Sequence, residues 1–417
     1  MARGLSLTEN AIQKINNTNV LQGKNERQRD FEQNFFINKF YKQLVCSFIM
    51  LTASELKKLK EELETSKKPL IFFDDDTDGT CSFLLYYRFV KSFCDDAKGI
   101  IVKNSPVLKD DMYVRKIEEY GPDKVFILDK PIVSQDFLVK VKVKKIWLDH
   151  HPLQPRHGVD YYNPLKHKSK KYIPDNRPTT YWAYKTIQKW DSEKKFLWIA
   201  MVGCIGDWFV PEFAKEFTKK YPDLLPKNLK IRSPGTVLHE TELGKLCMII
   251  QFNLKGPVNQ VMSSIKILTR INDPYEILHQ TTPQGKFIYK QYNKLHSKYL
   301  EVKSQIKVDE NDPLIFFKYQ EDYGFTSDLS NEMQYENPDK VILIAINKDG
   351  LMKCSFRSEN LIIRDILEKS LIGIDGHGGG HEHACGAGIN ENDFDRFLQN
   401  LRENIDLQSR KKQQKIL

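Results

Sequence analysis

The chain has 417 residues, 40% hydrophobic and 11% aromatic, with a formal net charge of +9. This is too long for one ordinary core, so two domains are expected, and too apolar for a disordered polyelectrolyte. The basic excess suits a polyanionic partner without proving one. Seven cysteines are scattered without CxxC pairs, which fits reduced thiols rather than a disulfide framework. The apolar run at 45–51 is far too short to span a bilayer and the N-terminus carries no targeting pattern, so a soluble, cytoplasmic protein is expected.

Residues 1–50 are rich in Asn, Gln and Lys with weak periodicity and read as an extension. Within it, Phe31 with Phe35 and Phe36 with Phe40 are spaced for one face of a short helix. Met50 is an alternative start, because the ordered pattern begins at Leu51. The apolar spacing of Leu56, Leu59 and Leu63 predicts an amphipathic helix over 53–65. Strands and helices then alternate: strand 70–73, helix 81–93, strand 100–102, helix 112–120, strand 125–129, helix 135–140 and strand 146–149. Short apolar runs alternating with helices indicate βαβ units and a largely parallel sheet. Helices are predicted over 179–190 and 196–205, and the stretch 211–254 reads as helical and loop-like. A long polar helix over 289–306 reads as a linker. A second α/β unit follows, with strands 314–317, 341–346 and 352–356, helices 328–335 and 361–368, a glycine–histidine loop at 376–388, a final helix 393–404 and a basic tail of Arg410, Lys411, Lys412 and Lys415.

The most informative stretch is Asp74-Asp75-Asp76-Thr77-Asp78-Gly79, directly after the apolar run Leu70-Ile71-Phe72-Phe73. Carboxylates this close disfavour each other's ionised form. A divalent cation at the C-terminal end of a buried strand, where open α/β sheets place ligands, is the expected compensation. Two further predicted strands also finish in acids, Leu128 into Asp129 and Leu148 into Asp149, which puts carboxylates together on one rim. Asp149-His150-His151 adds imidazoles. Neighbouring side chains on an extended backbone point to opposite faces, so one His can meet a metal while the other meets substrate. Asp207 closes the helix 196–205. Together Asp74, Asp76, Asp78, Asp129, Asp149, His150 and Asp207 form an oxygen-rich set with one imidazole, which favours magnesium or manganese over zinc, the His tilting toward manganese.

In the second unit, Gly378-Gly379-Gly380 would let backbone N–H groups approach a phosphate, and Arg357 can hold a phosphate bidentately or stack on a base. A zinc site from His377, His381, His383 and Cys385 is an alternative for this segment. For the opening motif, Asp76-Thr77-Asp78-Gly79-Thr80 also reads as the DxDGT of a haloacid-dehalogenase-type phosphatase with Asp76 as nucleophile. That reading explains neither Asp149-His150-His151 nor the glycine–histidine segment.

The set resembles the DHH phosphoesterase family, which contains the RecJ exonucleases, small-oligonucleotide ribonucleases and cyclic-dinucleotide phosphodiesterases. The resemblance spans roughly 51–405. Asp74, Asp76, Asp78 and Gly79 match DxDxDG, Asp129 the lone second-motif Asp, Asp149-His150-His151 the DHH triplet, and Asp207 the fourth motif. Cys354-Ser355-Phe356-Arg357-Ser358 and Gly378-Gly379-Gly380-His381-Glu382-His383-Ala384-Cys385-Gly386 look like the Arg-bearing strand and GGGHxxAxG segment of the associated C-terminal domain. The family pattern often has a His where this chain has Phe72.

The resemblance implies an N-terminal parallel-sheet α/β domain and a smaller C-terminal α/β domain joined by a helical linker. The implied boundaries are 1–50 (extension), 51–254 (DHH domain), 255–310 (linker) and 311–417 (substrate-binding domain). It implies Asp76, Asp78, Asp129, His150 and Asp207 as metal ligands, with Asp74 a ligand or a supporting group. His151 would serve at the scissile phosphate or in proton transfer, and Asp149 would orient the triplet. Arg357, Gly378, Gly379, Gly380 and His381 would bind substrate. The implied activity is hydrolysis of single-stranded nucleic acid or short oligonucleotides with manganese or magnesium, two ions being expected. A replication or repair protein partner and a non-catalytic replication scaffold are also compatible with the family.

Overall fold

The computed structural model describes residues 51–103, 107–109, 111–167, 177–231 and 233–414. The expected extension with its Phe31, Phe35, Phe36 and Phe40 cluster lies outside the described residues, as do the side chains of Lys411, Lys412 and Lys415.

The first sheet contains β1 (Leu70–Asp74), β2 (Lys98–Val102), β4 (Lys124–Leu128), β6 (Lys144–Leu148) and β7 (Asp160–Tyr162), and β3 (Val107–Leu108) pairs with β5 (Ile132–Val133) beside it. Its order is β2-β1-β4-β6-β7 and all neighbours are parallel. The chain therefore leaves β1 toward β2, then crosses back to β4 on the other side. The C-terminal ends of β1 and β4 flank this reversal, the place where open α/β sheets bind ligands.

The strands read as continuous apolar runs because both faces are covered. Ile71, Phe73, Phe126, Leu128, Ile146 and Leu148 face one core, under the helices Ala53–Glu64, Thr77–Lys91, Thr179–Ile187 and Leu197–Gly206. Leu70, Phe72, Val125, Ile127 and Trp147 face the other, under Asp111–Tyr120 and Gln135–Lys140. Edge strand β7 and the pair β3–β5 are absent from the sequence reading. Each has only two or three residues, too few for a visible alternation.

The second sheet contains β8 (Leu314–Tyr319), β9 (Val341–Lys348), β10 (Leu351–Arg357), β11 (Gly376–Gly380) and β12 (Ala384–Asn390), in the order β11-β12-β10-β9-β8. β8 and β9 are parallel, and the other pairs antiparallel. The expected glycine–histidine loop is thus an edge hairpin. β11 pairs with β12 from Gly376 opposite Ile389 to Gly380 opposite Cys385. Glycine content signals a loop, but pairing with an apolar neighbour strand overrides that local preference.

Between the sheets lie the helices Val258–Leu268, Pro274–Leu278 and Pro283–Lys303. The last begins six residues before the expected 289, at a Thr282 cap whose hydroxyl accepts from Gly285 N at 3.1 Å. Its Ile288, Tyr292, Leu295, Tyr299 and Val302 are buried at alternating spacings of four and three. They share one apolar cluster with Leu246 and Ile250 of the helix Glu242–Asn253 and with Ile315, Phe325, Leu329, Ile342 and Ile344 of the second unit. Lys255 Nζ reaches Asp328 Oδ2 at 2.7 Å, and Tyr335 OH donates to Glu240. The second sheet's other face packs on Ile363–Ser370 and Phe394–Gln414.

Candidate metal centre

The helix Thr77–Lys91 starts four residues earlier than the expected 81, immediately after β1. Asp76 is its N-cap, with Oδ1 accepting from Gly79 N at 2.8 Å. This folds Asp78 into the first turn and aims it back over the strand end. Gly79 is required there, since a Cβ would lie 2.7 Å from Asp74 N and 2.9 Å from Asp74 Cα.

Asp78 is buried, and the start of the helix Thr179–Ile187 grips its carboxylate. Thr179 N donates to Oδ2 at 2.8 Å and Thr180 N to Oδ1 at 2.6 Å. Free amides at a helix N-terminus favour an anion. Asp129 follows β4 with φ +60°, a left-handed conformation that Asp tolerates better than most residues. It is buried, and its Oδ1 accepts from Thr179 Oγ1 at 2.9 Å. Asp207 caps the helix Leu197–Gly206.

His150 joins these acids. Its Nε2 lies 3.5 Å from Asp129 Oδ1, 3.7 Å from Asp207 Oδ2 and 3.8 Å from Asp78 Oδ2. These separations exceed hydrogen bonds and approach the spacing of neighbouring ligands, which lie about 3 Å apart around an ion bound at about 2.1 Å. Asp78, His150 and Asp207 form one compact donor group, and Asp129, His150 and His151 a second; among the described residues these are the only two. The chemistry fits magnesium or manganese.

The electrostatics need a cation. Burial first, then the neighbouring Asp76 charge, pushes Asp74 and Asp78 up to about 7, although amide hydrogen bonds oppose the rise at Asp78 and Lys130 opposes it at Asp74. Desolvation by the surrounding chain raises Asp76, although that side chain is exposed, and raises buried Asp129 and half-buried Asp207 well above the carboxylate range, with the surrounding carboxylates adding to the effect at Asp129 and Asp207. Burial, then His151 and His381, holds His150 well below its ordinary value, in the neutral form that binds metal.

Asp149 is fully buried. Oδ1 meets His151 Nδ1 at 2.7 Å, while Tyr161 OH and Asn163 Nδ2 each donate to Oδ2 at 3.1 Å. Burial lowers His151, but Asp149, Asp76 and Asp78 outweigh it and leave the ring above its ordinary value.

The second unit turns toward this centre. His381 lies close enough to His150 and His151 for their charges to act on each other. Arg357 ends β10, with Nε donating to Asn331 Oδ1 at 2.6 Å, and burial lowers the guanidinium to about 10. Gly378, Gly379 and Gly380 lie on the exposed edge strand β11, and Gly380 has φ +145°. His383 Nδ1 is 2.8 Å from Ser358 O, and Cys385 is buried with Sγ donating to His381 O at 3.2 Å. These two with His377 and His381 form no metal-capable donor group among the described residues, so the alternative zinc site has no support.

Phe72 packs edge-on against Tyr113 at 5.6 Å and Phe137 at 6.1 Å, in the core away from the donors. Several partners escaped sequence reasoning: Thr179 and Thr180, Tyr161 and Asn163, and Lys130, whose buried Nζ lies 2.8 Å from Asp74 Oδ1. The only available signal was a Lys directly after the Asp129 strand end.

Residues 68–204 match the DHH family N-terminal domain, and residues 310–406 match the DHHA1 domain. The chain belongs to the DHH family. The DHH match contains Asp76 through Thr80, which displaces the haloacid-dehalogenase-type reading of that motif. Among solved structures, this DHH protein is similar to RecJ from Thermus thermophilus in complex with Mn2+, with 15% identity and a TM-score of 0.60, covering 85% of this chain and 55% of that one. The chain therefore spans about half of that RecJ. It is also similar to the DHH domain of a protein described as belonging to a family of ribosomal proteins (14% identity, TM-score 0.58, covering 90% and 99%) and to an exonuclease RecJ bound to manganese (15%, TM-score 0.51, covering 84% and 93%). At these identities the likeness is one of fold. No curated protein matches the sequence. No helix among the described residues is long and apolar enough to cross a membrane.

Proposed function

We propose that this DHH protein is a metal-dependent phosphodiesterase that hydrolyses single-stranded nucleic acid or short oligonucleotides. The observation that carries the reading is the meeting of His150 Nε2 with Asp78, Asp129 and Asp207 within 3.8 Å at the reversal point of a parallel sheet. Asp76, Asp78, Asp129, His150 and Asp207 are the residues that would hold manganese or magnesium. The chemistry such an ion supplies when bound is activation of water and neutralisation of charge at phosphorus. Two of the similar structures were solved with manganese, and both are of RecJ.

The chain's own groups do the rest. The amides of Thr179 and Thr180 favour the ionised Asp78 that a metal needs. Asp149 holds the proton at His151 Nδ1, which leaves Nε2 to hydrogen-bond the phosphate or exchange a proton with a reacting oxygen. Arg357, braced by Asn331, would grip the neighbouring phosphate, with Gly378, Gly379, Gly380 and His381 lining the approach.

End-labelled DNA and RNA oligonucleotides incubated with manganese test the proposal. The wild-type chain is expected to shorten at least one of them. Asp78→Asn and His150→Ala are each expected to abolish both cleavage and manganese binding by calorimetry. Cleavage retained by both variants would overturn the assignment.

A further inference from the structure

Lys130 carries an inference that rests on the metal-dependent reading and deepens it. Its side chain is fully buried, and its Nζ lies 2.8 Å from Asp74 Oδ1. Burying an ammonium is strongly unfavourable unless an anion repays its lost hydration. Asp74 Oδ1 also accepts from Asp75 N at 2.8 Å, so this oxygen already has two donors. The next acid, Asp75, faces a second lysine, with Lys103 Nζ 3.5 Å from its Oδ2. Asp74 belongs to neither compact donor group around His150. Phe72, two residues back on the same face of β1, offers no donor and packs on Tyr113 and Phe137. The acidic end of β1 therefore divides into two parts. Asp78 belongs to a His150 donor group and Asp76 is hydrogen-bonded to Asp129 of the other, while Asp74 and Asp75 each face an ammonium.

We propose that the Lys130 ammonium is a fixed cation standing in place of a second divalent ion. The centre then holds one manganese or magnesium ion, against the two expected from the family resemblance, and Asp74 is a positioning residue rather than a ligand. An ammonium anchored beside Asp74 occupies the charge that a second ion would neutralise, and it repels a dication brought close to it. It also offsets part of the repulsion among the carboxylates before any ion binds.

Manganese alone is the probe, counted by native mass spectrometry and titration, with electron paramagnetic resonance separating an isolated ion from an exchange-coupled pair. The wild-type chain is expected to bind one ion with the spectrum of an isolated centre. Lys130→Met, which keeps the stem and removes the charge, is expected to bind two with a coupled spectrum. Asp74→Asn is expected to keep one ion. Two ions in the wild-type chain overturn the proposal whether or not the variants fold. One ion in a folded Lys130→Met chain overturns it, as does loss of the ion in a folded Asp74→Asn chain. No ion in the wild-type chain overturns the metal-dependent reading itself, a result distinct from two.

Discussion

Asp149 commits both carboxylate oxygens to protein neighbours, one to His151 and the other to Tyr161 and Asn163. It belongs to neither donor group around His150, so its effect on the reaction passes through the orientation and charge of His151. Asp149→Asn keeps the shape and removes the charge that holds a proton on Nδ1. Loss of a positioned proton carrier costs about 10²-fold or more, whereas supporting partners of metal ligands alter affinity by about 10–100-fold. The expected outcome is a kcat lower by at least about 10²-fold with manganese affinity changed less than tenfold. Steady-state kinetics alongside manganese titration check it, and equal losses in both would make Asp149 part of the metal site instead.

At the scale of elements, the site is built where helix starts meet strand ends. The turn from β1 into the helix Thr77–Lys91 leaves no room for a side chain at Gly79. Gly79→Ala must displace backbone rather than a flexible side chain, so it is expected to cost about 1–3 kcal/mol and to weaken manganese binding, as read by denaturant midpoint and calorimetry. The long helix Pro283–Lys303 is tied to Thr326–Glu336 through Glu332, which accepts from Lys303 Nζ at 2.7 Å and from Tyr299 OH. Burial would raise Glu332, but those two donors outweigh it and hold the carboxyl below its ordinary 4.5. The depressed value means that its stabilisation is present above pH 4.5 and is lost as pH falls through the folded-state value. Glu332→Gln is therefore expected to be less stable than wild type at pH 7 and to converge with it in acid, as measured by denaturant unfolding across pH.

For the whole molecule the metal centre has the opposite sign. Asp74 and Asp78 rise from 3.8 to about 7 on folding. The metal-free folded chain therefore keeps protons that the unfolded chain releases between these values, and stability is lost as pH rises through that window. Manganese binds the ionised carboxylates and competes with those protons. The melting temperature of chelator-treated protein is expected to fall between pH 4 and pH 7, and saturating manganese is expected to offset that fall at the upper end of the range, where the carboxylates ionise. A metal-free melting temperature that does not depend on pH over this range would mean that the acids are not buried together. The apolar cluster that runs from the first sheet through Tyr292 and Tyr299 to Ile344 joins the two units, and His381 of the second lies within electrostatic reach of His150.

Local chemistry was enough to determine much of this protein. Apolar runs ending in Asp74, Asp129 and Asp149 announce parallel strands with acids on one rim, because β spacing and strand ends are local properties. The same is true of Asp149-His150-His151 and of most of the helices. Glycine density misled at 376–380, where pairing with β12 makes a strand from residues with little intrinsic preference for one. The early helix start at Thr77 was hidden because Gly79 and Thr80 read as a loop until packing against Asp74 is known. Only the tertiary structure decided what surrounds each acid. The amides of Thr179 and Thr180 on Asp78 come from a helix about a hundred residues away, and Tyr161 and Asn163 reach Asp149 from the edge strand β7 and the residue after it. The Lys130 ammonium reaches Asp74 from the end of a neighbouring strand. Which carboxylates meet His150 and which meet a lysine depends on strand order and burial, and neither is encoded at the spacing of a motif.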